Sequence, residues 1–277
     1  FIRIDQELYV KMLVDKYSVY IGGRNRADVP SMSEYILRDE SPANAKQQAF
    51  VDSFPYSEIV GSVLYLACVT RPDIMYAVGV LTRHLKSPTF SSCKAACHLL
   101  QYLKTTSHYG IIYSGSSLSL RVFTDSDWAS DKDTRRSTSG FVVIMAGGLV
   151  NWLSKLQSIV AVSSMEAEYI ACFFAIQDIV WIRQLLKDLG LERLQPTPVY
   201  IDNRSARQLA QNPVFHQRSK HIDIKYHWIR DMVAGNVVQL IDVPTADQRA
   251  DIFTKTLPGT VFRGHVDYLM STNFVSH

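Results

Sequence analysis

The hydrophobic period of the chain changes near residue 110. Between residues 56 and 106 apolar positions recur at helical spacing, and "YSEIVGSVLYLACVT", "RPDIMYAVGVLTRHLKS" and "FSSCKAACHLLQYLKTT" each predict a helix. Pro72 suits the first turn of the second, and "SHYG" stops the third. Residues 5–17 predict a further short helix with Leu8, Met12 and Leu13 on its apolar face. Residues 21–55 are polar, with Gly, Pro and Ser, and read as an irregular connector. Beyond residue 110, "YGIIYSG", "SLSLRVFTD" and "SGFVVIMAGGLVNWLSKLQSIVAVSS" predict strands, with "AGG" as a hairpin turn.

A long helix is expected from about Ser163 to Leu189. Ala167, Ile170, Ala171 and Phe174 stand at i, i+3, i+4 and i+7, and Ile182, Leu185, Leu186 and Leu189 repeat the spacing. Ser163 or Ser164 can cap it, with Glu166 or Glu168 in a first turn where negative charge suits the dipole, and Gly190 ends it. There follow a strand "TPVYIDN", a helix "RSARQLAQN" stopped before Pro213, a helix "HIDIKYHWIRDMVAG", a strand "NVVQLIDVP" and a closing helix "ADQRADIFTKTL". From residue 118 the order is β, β, β, α, β, α, α, β, α, which predicts an α/β domain with a mixed sheet covered by helices.

Composition adds bounds more than direction. The 277 residues, 47% hydrophobic and 20% charged, suit one large or two modest globular domains. A net charge of +3 is too weak to announce nucleic acid by itself. The four cysteines are irregularly spaced, as expected of reduced thiols in an intracellular protein, and Cys93, Cys97 and His98 have no fourth partner for a closed zinc site. No apolar stretch approaches ~20 residues, so no membrane span or membrane partner is expected. The amphipathic, acid-bearing N-terminus is unlike a secretory signal and has no initiator Met, so the chain reads as a piece of a longer product.

The chemistry rests on carboxylates. "TDSDWASDKDTRRSTSGF" holds four acidic and three basic residues. Asp125 closes a strand, Glu166 opens the long helix, Asp202 closes "VYI", and Asp251 lies early in the last helix. Hard divalent cations take oxygen ligands, and two such ions can clamp the attacking and leaving oxygens of a phosphodiester. Taken singly, each residue also suits a turn or a helix start. Periodicity does not choose between Asp125 and Asp127, which share a face if the strand continues. Glu166 and Glu168 are about 200° apart on a helix, so only one should face a site.

Four stretches together resemble the ribonuclease H domain of copia-type LTR retrotransposon Pol polyproteins: "TDSDWASDKDTRRSTSGFVV", "NWLSKLQSIVAVSSMEAEYIA", "IDNRSARQLAQNPVFHQRSKHIDIKYHWIR" and "VPTADQRADIFTKTL". Upstream, "PYSEIVGSVLYLACVTRPDIMYAVGVLTRHL" and "LQYLKTTSHYGIIY" resemble the end of the same family's reverse transcriptase. The resemblance implies a ribonuclease H-like fold, with a five-stranded mixed sheet flanked by helices, preceded by a mainly helical thumb or connection region. It implies a partial reverse transcriptase over residues 1–116, a ribonuclease H domain over 117–262 and a tail over 263–277. The activity implied is cleavage of the RNA strand of an RNA–DNA hybrid with two magnesium ions, manganese being a possible substitute. By family position Asp125 would bridge both ions, Glu166 and Asp202 would complete one, and Asp251 the other.

The implied partners are the hybrid and the upstream reverse-transcriptase palm, in a cytoplasmic virus-like particle or the nucleus. No adjacent Asp pair occurs in the chain, so it is not expected to polymerise DNA. Residues 204–230 carry Arg204, Arg207, Arg218, Lys220, Lys225 and Arg230 against Asp223, a basic run suited to phosphates. Lys132, Arg135 and Arg136 in the first loop are further phosphate candidates. Trp228 is expected in the core, with Tyr226 open to either role. The short "VPTADQRAD" has no His where cellular ribonucleases H carry one, and His216, His221 and His227 are substitutes by type only. Two other readings stand beside this one. An idle remnant that only binds nucleic acid or a partner is disfavoured by four intact carboxylates. An integrase-like enzyme is disfavoured because the glutamate lies between the first two aspartates.

Overall fold

A computed structural model describes residues 1–22, 26–31, 44–115, 118–192, 194–202 and 220–270, the side chains of 220–223 excepted. The predicted helix over 204–212 with Arg204 and Arg207, and also His216 and Arg218, lie outside the described residues, as does the side chain of His221. The chain forms two compact units, one of residues 113–255 joined by Phe1, the other of 2–112 and 256–277.

The second unit contains strand β1 (Ile2–Asp5) paired with β2 (Gly110–Tyr113) and helices α1 (Glu7–Lys16), α2 (Ala45–Ser53), α3 (Tyr56–Val69), α4 (Met75–Thr82) and α5 (Phe90–Thr105). Helix α1 buries Val10 and Leu13, while Leu8 and Met12 are exposed. The inward stripe therefore runs Val10, Leu13, Tyr17 at i, i+3, i+7, one position away from the face expected. Within the connector expected over 21–55, Asn44 caps α2 by accepting from the Gln47 N–H at 3.0 Å. The tail expected at 263–277 begins inside a helix, α8 (Gly259–Met270), which groups with this unit and buries Phe262, Val266 and Leu269. Phe262 meets Tyr102 edge to face at 6.0 Å, so apolar burial explains the assignment.

The unit is pinned by one buried ion pair. The Arg71 guanidinium donates to Asp73 at 2.9 and 2.7 Å and to the carbonyl and hydroxyl of Thr106, while the Tyr102 hydroxyl donates to Asp73. Breaking one partner strands a buried charge. Asp73→Ala is expected to cost about 3–5 kcal/mol of this unit's unfolding free energy, read by chemical denaturation.

The other unit holds the mixed sheet. Strands β3 (Arg121–Asp127), β4 (Thr138–Met145), β5 (Gly148–Leu156), β6 (Thr197–Asp202) and β7 (Val238–Val243) lie in the order β5-β4-β3-β6-β7. The first three pair antiparallel, and β6 joins β3 and β7 in parallel. This is the five-stranded mixed sheet expected from the sequence. The β4–β5 turn puts Ala146 at φ 55° and Gly147 at φ 81°, both left-handed, as a two-residue hairpin requires.

Helix α6 (Ser164–Asp188) lays Tyr169, Cys172, Ala175, Ile176 and Ile179 into a core with Val122, Phe141, Val143 and Val199. By length and composition α6 is the one helix among the described residues that could cross a membrane, although no such stretch was expected; half of its apolar window is buried inside the fold. Helix α7 (Lys220–Ala234) adds Tyr226 and Ile229 to the same core, and Trp228 packs on Phe173 at 5.1 Å, as expected.

Candidate active site

The fold of this unit brings three of the four expected carboxylates, all aspartates, together near one end of the sheet. Asp125 is buried near the end of β3, opposite Gly140 of β4. The parallel register pairs Val122 with Val199 and Phe123 with Tyr200. Continued by two residues, it sets Asp125 beside Asp202, the half-buried last residue of β6. Parallel strands present paired residues on one face, so the two carboxylates stand together.

Asp251 arrives differently from the expected closing helix. Residues 245–247 and 251–253 form two short 3-10 turns instead. The buried Gln248 amide donates to the Thr124 carbonyl at 2.9 Å, and its oxygen accepts from the Ala250 N–H at 3.2 Å. These side-chain bonds fold the segment tightly onto β3 and replace a helical ladder. The turn also needs Gly140. A Cβ there would stand 2.7 Å from Thr254 Cγ2 and 2.8 Å from Phe253 Cβ. Gly140→Ala is therefore expected to push the Asp251 turn off the sheet and to cost about 1–3 kcal/mol, measured by chemical denaturation.

The glutamate that the structure brings to these aspartates is Glu168, whereas Glu166 was expected there. Glu166 turns back to its own helix start, where its Oε2 accepts from the Val162 N–H at 3.1 Å and its N–H donates to the Ser163 hydroxyl. This reciprocal arrangement resembles a capping box. Glu168 reaches the sheet instead. Its Oε1 accepts from the Ser126 N–H at 3.1 Å and the Ser126 hydroxyl at 2.9 Å. Its Oε2 is buried without a hydrogen-bond partner. Burial first, then the charges of Asp125 and Asp202, hold the Glu168 carboxyl well above its ordinary range. The signal was present in the sequence. Glu168 opens the stripe Cys172, Ala175, Ile179, Ile182 and Leu186, spaced by four and three, which is the face α6 buries.

Electrostatics tie the remaining groups together. Burial, then the Asp125 charge, push Asp251 up to about 7 against the opposing pull of Lys255. Burial likewise raises Asp127. Lys255 Nζ lies 3.1 Å from Asp251 Oδ1, an ion-pair contact not aligned as a hydrogen bond, and 3.8 Å from Asp125 Oδ2. The Thr254 hydroxyl donates to Asp125 Oδ2 at 2.6 Å. Lys255, Thr254, Gln248 and Gly140 were all missed from sequence, since none has a motif of its own.

The donor set suits a hard divalent cation. All four side chains offer carboxylate oxygens, and Glu168 Oε2 is a buried acceptor with nothing to accept from. Among the described residues no three such side chains stand grouped in metal-holding geometry. Asp125 Oδ2 is instead engaged by Thr254 and Lys255.

The basic candidates divide. Arg135, at φ 57°, is exposed in the β3–β4 loop, and Arg136 is half-buried beside it. Lys225 lies over the rings of Phe173 and Phe174 at 5.4 and 5.7 Å, and burial lowers its pKa. Arg204 and Arg218 are outside the described residues, as is the side chain of Lys220. His227 is exposed on α7. Apolar side chains are exposed in two neighbouring loops: Trp128, just past β3, is 48% exposed with its indole N–H donating to the Ala161 carbonyl, and Val160 and Val162 beside Ala161 are exposed as well.

Comparison with known proteins gives the family of the chain. The chain is 35% identical over 260 residues to the retrovirus-related Pol polyprotein from transposon TNT 1-94 of Nicotiana tabacum, covering 94% of this chain and 19% of that protein. It is 43% identical over 213 residues to the counterpart from transposon RE1 of Arabidopsis thaliana, covering 76% of this chain and 14% of that protein. The chain belongs to the family of retrovirus-related Pol polyproteins, and it spans less than a fifth of the length of these relatives. No protein-family profile matches it. Among solved structures it is similar to LC11-RNase H1 isolated from compost, at 18% identity and a TM-score of 0.38, covering 50% of this chain and 93% of that one.

Proposed function

We propose that residues 113–255 are a ribonuclease H that cuts the RNA strand of RNA–DNA hybrids during retrotransposon reverse transcription. The observation that carries the reading is the convergence of Asp125, Glu168, Asp202 and Asp251 from four separate elements, with Glu168 Oε2 left without a partner. These four would hold divalent ions, magnesium by preference. Bound there, the ions would lower the pKa of an attacking water and neutralise the leaving 3′ oxygen.

The chain's own residues do the remainder. Asp125 sits between them, its charge acting on both Glu168 and Asp251. Ser126 fixes the Glu168 carboxylate, and Thr254 fixes Asp125. Arg135 and Arg136, in the loop that follows the Asp125 strand, would bind phosphates in a salt-dependent manner. Trp128 offers an exposed aromatic face for a sugar or base. Recognition would rest on duplex shape and 2′-hydroxyl contacts, without base specificity.

Polymerisation belongs, in this proposal, to an upstream palm of the parent polyprotein, and the working location is an intracellular virus-like particle. The test is incubation of purified chain with end-labelled hybrid. RNA cleavage in magnesium or manganese that EDTA stops is the expected result. Intact RNA in both metals would leave an idle, nucleic-acid-binding remnant as the better reading.

A further inference from the structure

The two sides of Asp125 are not equivalent. On one side stand Glu168, whose buried Oε2 has no hydrogen-bond partner, and Asp202, with no cation paired to either among the described residues. On the other side stands Asp251, and there a positive charge is already in place. Lys255 lies one helical turn beyond Asp251 and touches both carboxylates, at 3.1 Å from Asp251 and 3.8 Å from Asp125. The two aspartate side chains are only 9% exposed, whereas that of Lys255 is 35% exposed. An ammonium and a divalent cation cannot share one carboxylate pair at this range without strong repulsion in a half-buried site.

We infer that Lys255 is a resident counter-ion that holds the Asp125–Asp251 side of the site against a divalent cation. The Asp125–Glu168–Asp202 side then loads first, and the Asp251 side loads only once Lys255 is displaced. The inference rests on the metal-dependent hydrolase reading above and names the residue that sets the order of loading. Lys255 has a long flexible stem with part of its length in solvent, so it can leave without disturbing the sheet. A phosphodiester bound at the site brings further anionic oxygens, which favour exchange of one positive charge for two. The chain would thus stay partly charge-balanced at rest and assemble its full cation complement only with substrate present. Lys255 is in this sense a positioning residue, acting through its aspartate partners.

The experiment is a manganese titration of the unliganded chain, with free Mn2+ counted by electron paramagnetic resonance. Wild type is expected to bind one ion, and a second at least about tenfold more weakly, a difference of about 1.4 kcal/mol. Lys255→Met should tighten the second ion at least about tenfold and leave the first within about threefold. Lys255→Arg keeps the charge and should behave as wild type, and Lys255→Gln supplies a second neutral variant should Met misfold. Asp251→Asn should remove the second ion in either background. A second-ion affinity that is the same in wild type, Met and Gln variants overturns the role of Lys255 and leaves the hydrolase reading standing. No Mn2+ bound by folded wild type overturns the metal reading, and the inference with it.

Discussion

Asp125→Asn is expected to lower hybrid cleavage by about three orders of magnitude or more. The carboxylate is buried near a strand end, and its charge raises the pKa of both Glu168 and Asp251. Asparagine has its shape and keeps an acceptor for the Thr254 hydroxyl, which the carboxylate binds at 2.6 Å. What it lacks is the negative charge. Loss of a cation worth several kcal/mol at the transition state, at about 1.4 kcal/mol per tenfold, gives the stated factor. The substitution should also raise the stability of the metal-free chain, because it removes repulsion between buried like charges. Single-turnover cleavage and chemical denaturation on the same preparation check both parts. A rate within tenfold of wild type, from folded protein, would remove Asp125 from the centre of the site.

The second prediction separates two glutamates two residues apart. Glu168→Gln is expected to lower cleavage by about a hundredfold or more, since its carboxylate faces Asp125 and carries the unpartnered Oε2. Glu166→Gln should stay within about threefold of wild type. Its work is local, accepting from the Val162 N–H at the helix start, and glutamine can accept the same bond. Its cost should be no more than about 1 kcal/mol of stability. Cleavage kinetics on both variants, with metal affinity alongside, decide the assignment. The reverse pattern would restore Glu166, the residue that the family resemblance favoured.

Much of the fold was written locally. The helical and β-rich halves, the capped long helix, the left-handed hairpin at Ala146–Gly147 and the core role of Trp228 all follow from period, capping and turn chemistry, which act over a few residues. Three of the carboxylates that the structure brings together were already candidates in the sequence: Asp125 and Asp202 close strands, Asp251 was expected early in the last helix, and the family resemblance, not periodicity, preferred Asp125 to Asp127.

The other decisions needed the third dimension. Periodicity put Leu8 and Met12 beside Leu13 on the apolar face of α1, and only packing showed that Val10 takes their place. The segment around Asp251 has helix-like composition, but the Gln248 side chain bonded to β3 breaks that pattern. Helical geometry established that Glu166 and Glu168 point apart, the apolar stripe that Glu168 opens marked its side of the helix, and packing against the sheet brought Glu168 to the aspartates. That choice depends on which face of α6 lies against Val122 and Val143, a contact between residues some tens of positions apart. Lys255 shows the same limit. Its pairing with Asp251 is one helical turn, readable in any sequence, but its approach to Asp125 spans the whole domain and exists only because β4 has a glycine where the turn must pass. By itself the sequence determined which residue types were available and which local elements carry them. The tertiary structure decided which carboxylate and which cation meet, because charges separated along the chain interact only once packing brings them within a few ångströms.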